Sequence, residues 1–267
     1  MIPNDNAIML YKFGQKRWMQ KILEGELSFS SPGAFIQQAK TTGNYVQGDL
    51  TEGVFARLLS SDCRVEEMKK RFGNKLEIIP DGKYLFLRRK SVKFKPIFCF
   101  FSYTAGDALK DNDISKAGKQ ALNFEFDERM YAGFAEDFSS KLMIDKYRGT
   151  VLFLQPKPFI DRAKHSLKIK RIPYRLKKIQ YIDMTSGEFF IEPTDNYDEL
   201  YYKSNKYEYQ HEVRICLTGK KFLDISERYP LKILPLSKDD YEMCFKEIYV
   251  EFEGDIIAVK DDWEEVN

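Results

Sequence analysis

Glu212 and Arg214 stand two residues apart in Tyr207-Glu208-Tyr209-Gln210-His211-Glu212-Val213-Arg214-Ile215-Cys216-Leu217. This stretch is rich in aromatic and β-branched residues, lacks Gly and Pro, and reads as a strand. Its period of two puts Tyr209, His211, Val213 and Ile215 on one face and Gln210, Glu212, Arg214 and Cys216 on the other. A carboxylate and a guanidinium so spaced lie about 7 Å apart at Cα, close enough to act on one bound group. They are also close enough to pair with each other, worth under about 1 kcal/mol if exposed.

Other chemistries lack material. With only His165 and His211, neither a Ser-His-Asp nor a Cys-His arrangement is supported, and a histidine-based metal site still less. The chain has no Walker A sequence and no Gly-rich dinucleotide fingerprint. Pro80-Asp81-Gly82 before Tyr84–Arg88 matches the first half of a metal-dependent nuclease motif. The second half needs an acid two residues before a lysine, and Leu87-Arg88-Arg89-Lys90 has none. A nuclease therefore stays an alternative, and no metal is expected.

Charge is unevenly placed in a chain of formal net charge +2. Eight Lys and Arg residues and no acid fall between Arg162 and Lys178: Arg162, Lys164, Lys168, Lys170, Arg171, Arg175, Lys177 and Lys178. Lys83, Arg88, Arg89, Lys90, Lys93 and Lys95 form a second acid-free stretch, and acids dominate the last thirty residues. Two such stretches suggest a local field for a polyanion, either nucleic acid or a phosphate-bearing ligand. Lys168, Lys170, Arg171 and Arg175 are the candidate nucleic-acid contacts.

The elements that position these residues read as α+β. A hydrophobic fraction of 43% over 267 residues supports one α+β domain with insertions. Its core strands are expected near 7–13, 96–103 and 207–217, with a basic insertion at 156–178. A helix from Gln15 to Glu24 should bury Trp18, Met19, Ile22 and Leu23 and stop at Gly25. Leu27–Ser30 reads as a strand, Ser31-Pro32 as the start of a helix reaching Lys40, and Thr41–Gly53, with Asp49 and Glu52, as a loop.

A helix over Arg64–Phe72 follows, then strands at Lys75–Ile79, Lys83–Arg88 and Pro96–Tyr103, the last ending in the hydroxyls of Ser102 and Tyr103. Beyond a loop at Gly106–Lys119 come a strand at Ala121–Phe126, a helix at Arg129–Asp145, and strands at Gly149–Leu154 and Lys177–Asp183. Short helices at Tyr197–Lys203 and Lys238–Cys244 and strands at Glu247–Phe252 and Asp255–Val259 complete the pattern. The four cysteines (63, 99, 216 and 244) form no zinc spacing and read as reduced thiols. Without a membrane-spanning run or a signal peptide, a cytoplasmic location away from membranes is expected.

One order of motifs carries a resemblance. Leu10-Tyr11-Lys12-Phe13, a helix ending Ile22-Leu23-x-Gly25-x-Leu27, then Phe29-Ser30-Ser31-Pro32 open the series. Cys99-Phe100-Phe101-Ser102 and Lys203-Ser204-x-x-Tyr207-x-Tyr209-x-x-Glu212-x-Arg214 follow. This order resembles a widespread bacterial and phage protein family of largely unassigned function. Its opening is also similar to that of ADP-ribosyltransferase toxins acting on nucleic acids.

The resemblance implies a split β-sheet core with peripheral helices, NAD as substrate, and a role as a toxin or anti-phage effector. It also implies RNA, DNA or protein as acceptor and an antitoxin protein as a partner. Carried over, Glu212 is the catalytic carboxylate. Tyr11 and Lys12 occupy the first-strand position, where the superfamily usually has His or Arg. Ser102 and Tyr103 end the second strand, Arg214 holds a phosphate or acceptor, and Ser28 or Ser30 serves equally for the hydroxyl given to Ser102. A non-catalytic nucleic-acid-binding protein is the alternative from a different class.

Overall fold

The computed structural model describes residues 7–42, 48–104, 149–219, 222–236, 246–253 and 256–263. It is a mixed α+β structure dominated by antiparallel pairing, in which the chain forms two interleaved units. The first takes residues 1–27, 100–171 and 230–267, and the second 28–99 and 172–229. The loop expected at Gly106–Lys119, the strand at Ala121–Phe126, the helix at Arg129–Asp145 and the helix at Lys238–Cys244 lie outside the described residues.

In the first unit the apolar stretch Ala7–Gln15 forms β1. β1 pairs antiparallel with Gly149–Leu154 (β7) on one side and with the end of Ile97–Thr104 (β6) on the other. Lys246–Glu253 (β14) joins β7, and Ile256–Trp263 (β15) pairs with β14. The register sets Leu10 opposite Ser102 and Tyr11 opposite Phe101. One face therefore carries Leu10, Lys12 and Ser102, and the other Tyr11, Phe101 and Tyr103.

Pro156–Ile169 forms helix α4, with Pro156 at its first turn, where a missing N–H costs nothing. Phe159, Ile160, Ala163 and Leu167 are buried at helical spacing, and Phe159 meets Phe100 edge-on at 5.6 Å. Helix α1, Lys16–Leu23, buries Met19 and Ile22. Trp18, expected on that buried face, instead lies 43% exposed beside Arg17 and Lys21. Eight residues offer only a narrow inward stripe, and Met19 and Ile22 fill it.

The second unit holds helix α2 (Pro32–Thr42), where Ser31 Oγ accepts from the Ala34 amide at 3.3 Å, and helix α3 (Cys63–Phe72), capped by Asp62. Val54–Leu59 (β3), Leu76–Asp81 (β4), Tyr84–Arg89 (β5) and Phe189–Phe190 (β10) form a four-stranded sheet in the order β10-β3-β5-β4. Its core gathers Phe55, Leu58, Val65, Met68 and Leu87. β3 has no counterpart among the sequence expectations. Val-Phe-Ala-Arg-Leu-Leu is buried almost throughout and shows no alternation to read.

Gln180–Ile182 (β9) pairs in parallel with Tyr202–Ser204 (β11), and Tyr174–Lys178 (β8) pairs antiparallel with Glu212–Leu217 (β12). The strand expected over 207–217 is thus shorter, beginning at Glu212. Asn205–Gln210 winds as a 3-10 turn, and His211 takes a left-handed conformation (φ 44°) before the strand starts. Tyr207 is buried within that turn. The short helix expected at Tyr197–Lys203 is a 3-10 turn, Asp198–Tyr201, running into β11.

Candidate functional site

The second unit contains a buried cluster of charges centred on Arg214. Arg214 is 1% exposed, and its guanidinium makes four hydrogen bonds. Nε donates to Glu212 Oε1 at 2.5 Å, Nη2 donates to Glu52 Oε2 at 3.0 Å, and Nη1 donates to Glu52 Oε1 and to the Leu200 carbonyl. The planar fork fits Glu52 bidentately, which a lysine cannot do. Glu212 Oε2 accepts from Lys203 Nζ at 3.0 Å, and Lys203 also donates to Gln210 Oε1 at 2.7 Å. The Cys99 thiol bonds the same Glu212 carboxylate, and the Glu212 amide is held by Tyr181 Oη at 2.8 Å.

Local structure explains how a glutamate 162 positions away reaches Arg214. Asp49 Oδ1 accepts from the Thr51 amide at 2.8 Å and its hydroxyl at 2.7 Å, closing a side-chain turn. Gly53 then takes φ +71°, and a Cβ there would collide with Val92 Cγ1. Arg88 Nη1 staples the turn from outside by donating to the carbonyls of Leu50 and Glu52, while its Nε pairs with Glu77 at 2.9 Å. Together these aim Glu52 inward.

Gly53→Ala should therefore cost more than about 2 kcal/mol, combining left-handed strain with the collision against Val92. Gly82→Ala, at φ +61° with nothing within 4 Å, should cost only about 1 kcal/mol. Urea denaturation of the two variants reads the difference.

The electrostatics follow from burial and counting. Three carboxyls, Asp49, Glu52 and Glu212, act on two cations, Lys203 and Arg214, and all five are buried. Burial opposes ionisation of Glu212, but Arg214 and Lys203 overcome it and hold this carboxyl below its ordinary range. Burial dominates at Glu52, raising it against the pull of Arg214, with Asp49 adding repulsion. Burial also opposes charge on Lys203 and Arg214, and the carboxylates more than restore it. Glu212 is accordingly the fixed anion, and Glu52 takes a proton before it. Asp49 Oδ2 is buried without a hydrogen-bond partner.

The other residues singled out in the sequence are distributed as follows. Ser30 is in the second unit, bridged through its backbone to Ile97, with a buried hydroxyl lacking a partner. Tyr11, Lys12, Ser102 and Tyr103 are in the first unit. The β1–β6 register brings them together but puts Lys12 and Ser102 on one face and the two tyrosines on the other. The Tyr11 ring packs against Phe13 and Phe101, with centroids 5.7 and 5.4 Å away. Lys168, Lys170 and Arg171 are exposed at the end of α4. Arg175 is separate from them, in the second unit, and shares Asp198 with Lys177 at 2.9 and 2.6 Å.

Half of the second basic stretch is internal, while Lys83 and Lys90 are exposed. Arg88, Arg89 and Lys95 are 2%, 8% and 1% exposed and bind Glu77, Glu199 and the Gly219 carbonyl. No group of three or more His, Cys, Asp or Glu among the described residues is arranged to hold a metal ion. No helix among them is long and apolar enough to cross a membrane.

Sequence reasoning did not connect Glu52, Asp49 and Lys203 to Arg214. The signal available was a pair of acids in a glycine-rich loop and a lysine nine residues before Glu212. Set beside family models, curated proteins and solved structures, the chain matches none.

Proposed function

We propose that the chain is an NAD-dependent ADP-ribosyltransferase in which Glu212 is the catalytic carboxylate and the α+β fold serves as the split-sheet core of that superfamily. The observation that carries this reading is the state of Glu212: an anion fixed at the first residue of β12 by Arg214 and Lys203. Cleaving the nicotinamide–ribose bond sends the bonding electron pair out with nicotinamide and leaves an oxocarbenium-like ribose cation. A carboxylate that is already ionised and oriented stabilises that cation without reorganising and accepts a ribose hydroxyl. The acceptor's oxygen or nitrogen then bonds to the anomeric carbon and loses its proton. Glu52 and Lys203 are positioning residues that act through Arg214 and Glu212, and Gln210 acts one step further out, through Lys203.

The test is transfer of label from NAD to single-stranded RNA, single-stranded DNA or lysate protein, in the presence of a chelator. Wild type should label one acceptor class, and Glu212→Gln, folded by circular dichroism, should label none. Equal labelling by the two proteins contradicts the proposal.

The mutual bonding of Glu52, Glu212, Lys203 and Arg214 favours a second reading, in which these charges only fix the chain's conformation. In that case Glu212→Gln lowers stability, and wild type neither labels an acceptor nor consumes NAD.

A further inference from the structure

The first unit carries an exposed aromatic ring set in a band of cations. Trp18 projects from α1 with Arg17 4.9 Å and Lys21 5.1 Å from its ring centroid. From Lys21 the band continues through successive polar contacts. Lys21 Nζ pairs with Glu26 Oε1 at 3.2 Å, Glu26 Oε2 pairs with Lys232 Nζ at 2.7 Å, and the Lys232 carbonyl accepts from Lys170 Nζ at 2.9 Å. Backbone bonds fasten the same pieces together, Ile233 N to Gly25 O at 2.8 Å and Leu236 N to Leu23 O at 3.0 Å.

Lys168 and Arg171 flank Lys170, and all three are exposed. No salt bridge pairs any of them with a carboxylate among the described residues. Glu26 is the one carboxylate in this series of contacts, shared between two lysines, while Glu24 at the end of α1 is exposed. The α4 end and the α1 face, far apart in sequence, are thus linked by a continuous series of contacts through Glu26 and Lys232.

We infer that this band binds a single-stranded nucleic acid, with Trp18 as the platform on which a base stacks and the α4 cations tracking the phosphates. Exposed aromatic rings interleaved with cations are the means by which proteins hold unpaired strands, because every base has a stacking face while the charge is sequence-independent. A base taking one face of Trp18 displaces Arg17 or Lys21, and either side chain is long enough to follow the neighbouring phosphate. A lipid surface fits less well. α1 has eight residues and turns Met19 and Ile22 inward, so it has no apolar stripe to lay into a bilayer, and on α4 the exposed Ile169 stands between Lys168 and Lys170.

This surface supplies the acceptor class of the transferase proposed above, and the inference rests on that reading only to that extent. Binding is measured without NAD, so failure of one is distinguishable from failure of the other.

The experiment is fluorescence anisotropy of labelled single-stranded RNA and DNA, each about 15 nucleotides long, at several salt concentrations. Wild type should bind. Trp18→Ala should weaken binding at least about fivefold, the lower end for removing one stacked base, with unchanged salt dependence. The triple variant Lys168→Gln, Lys170→Gln, Arg171→Gln should bind more weakly and flatten the salt slope by about 0.7 for each phosphate no longer neutralised. The control Lys70→Gln, Lys75→Gln, which removes exposed cations of the second unit, should behave as wild type.

Trp18 is one of two tryptophans, so in Trp263→Phe its fluorescence should be quenched on binding. The inference is overturned by no binding at low salt, by equal weakening in the control, by a Trp18→Ala protein that binds as wild type, or by binding to anionic phosphatidylserine vesicles in place of the oligonucleotides. Binding without label transfer keeps the surface and removes the transferase. Transfer to protein alone, without oligonucleotide binding, does the reverse.

Discussion

Arg214→Ala is expected to lower the stability of the protein by about 3–5 kcal/mol, the cost of leaving buried charges uncompensated. Two carboxylates depend on this guanidinium, and both are buried, Glu52 2% and Glu212 3% exposed. Glu52 would lose both of its charged bonds, whereas Glu212 would keep Lys203. Arg214→Lys should fall between the variant and wild type, retaining the charge but not the fork that spans Glu52 and Glu212 together. Urea denaturation measures the effect as a shift in midpoint at constant slope. A loss under about 1 kcal/mol, the value for an exposed pair, would contradict the burial of this cluster.

Arg89→Ala should produce a deficit that grows with pH. Arg89 Nε donates to Glu199 Oε1 at 2.6 Å and Nη2 to the Thr194 carbonyl at 2.7 Å, with the guanidinium 4.6 Å from the Tyr197 ring centroid. Glu199 is 0% exposed, and its Oε2 has no partner. Burial raises its pKa, and Arg89 is the group that offsets this. A carboxyl raised in the folded state holds its proton there, so its ionisation erodes stability as pH climbs from about 4.3, the unfolded value, through the folded one. Removing Arg89 raises the folded value further, at about 1.4 kcal/mol for each unit.

The melting temperature of Arg89→Ala should therefore approach wild type near about pH 4.5 and separate from it towards about pH 8. A gap independent of pH would mean that Glu199 is not the group responsible. Glu212 has the opposite sign: its pKa is lowered in the fold, so its contribution is present above the unfolded value and is lost as pH falls below it.

Much of the scaffold was legible because local rules act over a few residues. The pattern Lys16–Leu23 followed by Gly25 marks α1, Ser31-Pro32 starts α2, and the apolar run Ile97–Thr104 is a buried strand, each within two residues of the sequence expectation. What escaped depends on distant partners. Tyr207 and Tyr209 are spaced like residues of a strand, yet the chain turns there and brings Lys203 to Glu212, a contact that local preference does not specify.

The short spacing of Glu212 and Arg214 suggested their pairing, which the structure contains. It gave no hint that Glu52 closes the other side of the guanidinium, since nothing within a few residues of Glu52 specifies so remote a contact. The acid-free stretch Lys83–Lys95 looked like a polyanion surface for a related reason. Its carboxylate partners Glu77 and Glu199 lie outside the stretch, and one of them is supplied from 110 positions away.

Whether Glu212 acts on NAD or merely braces Arg214 is tested most directly by the release of nicotinamide from NAD. The rate should be measured for wild type, Glu212→Gln and Glu52→Gln at a temperature where urea denaturation shows all three folded. Wild type is predicted to turn over, and Glu212→Gln to drop by about a hundredfold or more, the scale of removing an electrostatic contact made in the transition state. Glu52→Gln should drop by less. Absence of nicotinamide release from folded wild type, with Glu212→Gln changed only in stability, would contradict the transferase and leave the cluster a structural one.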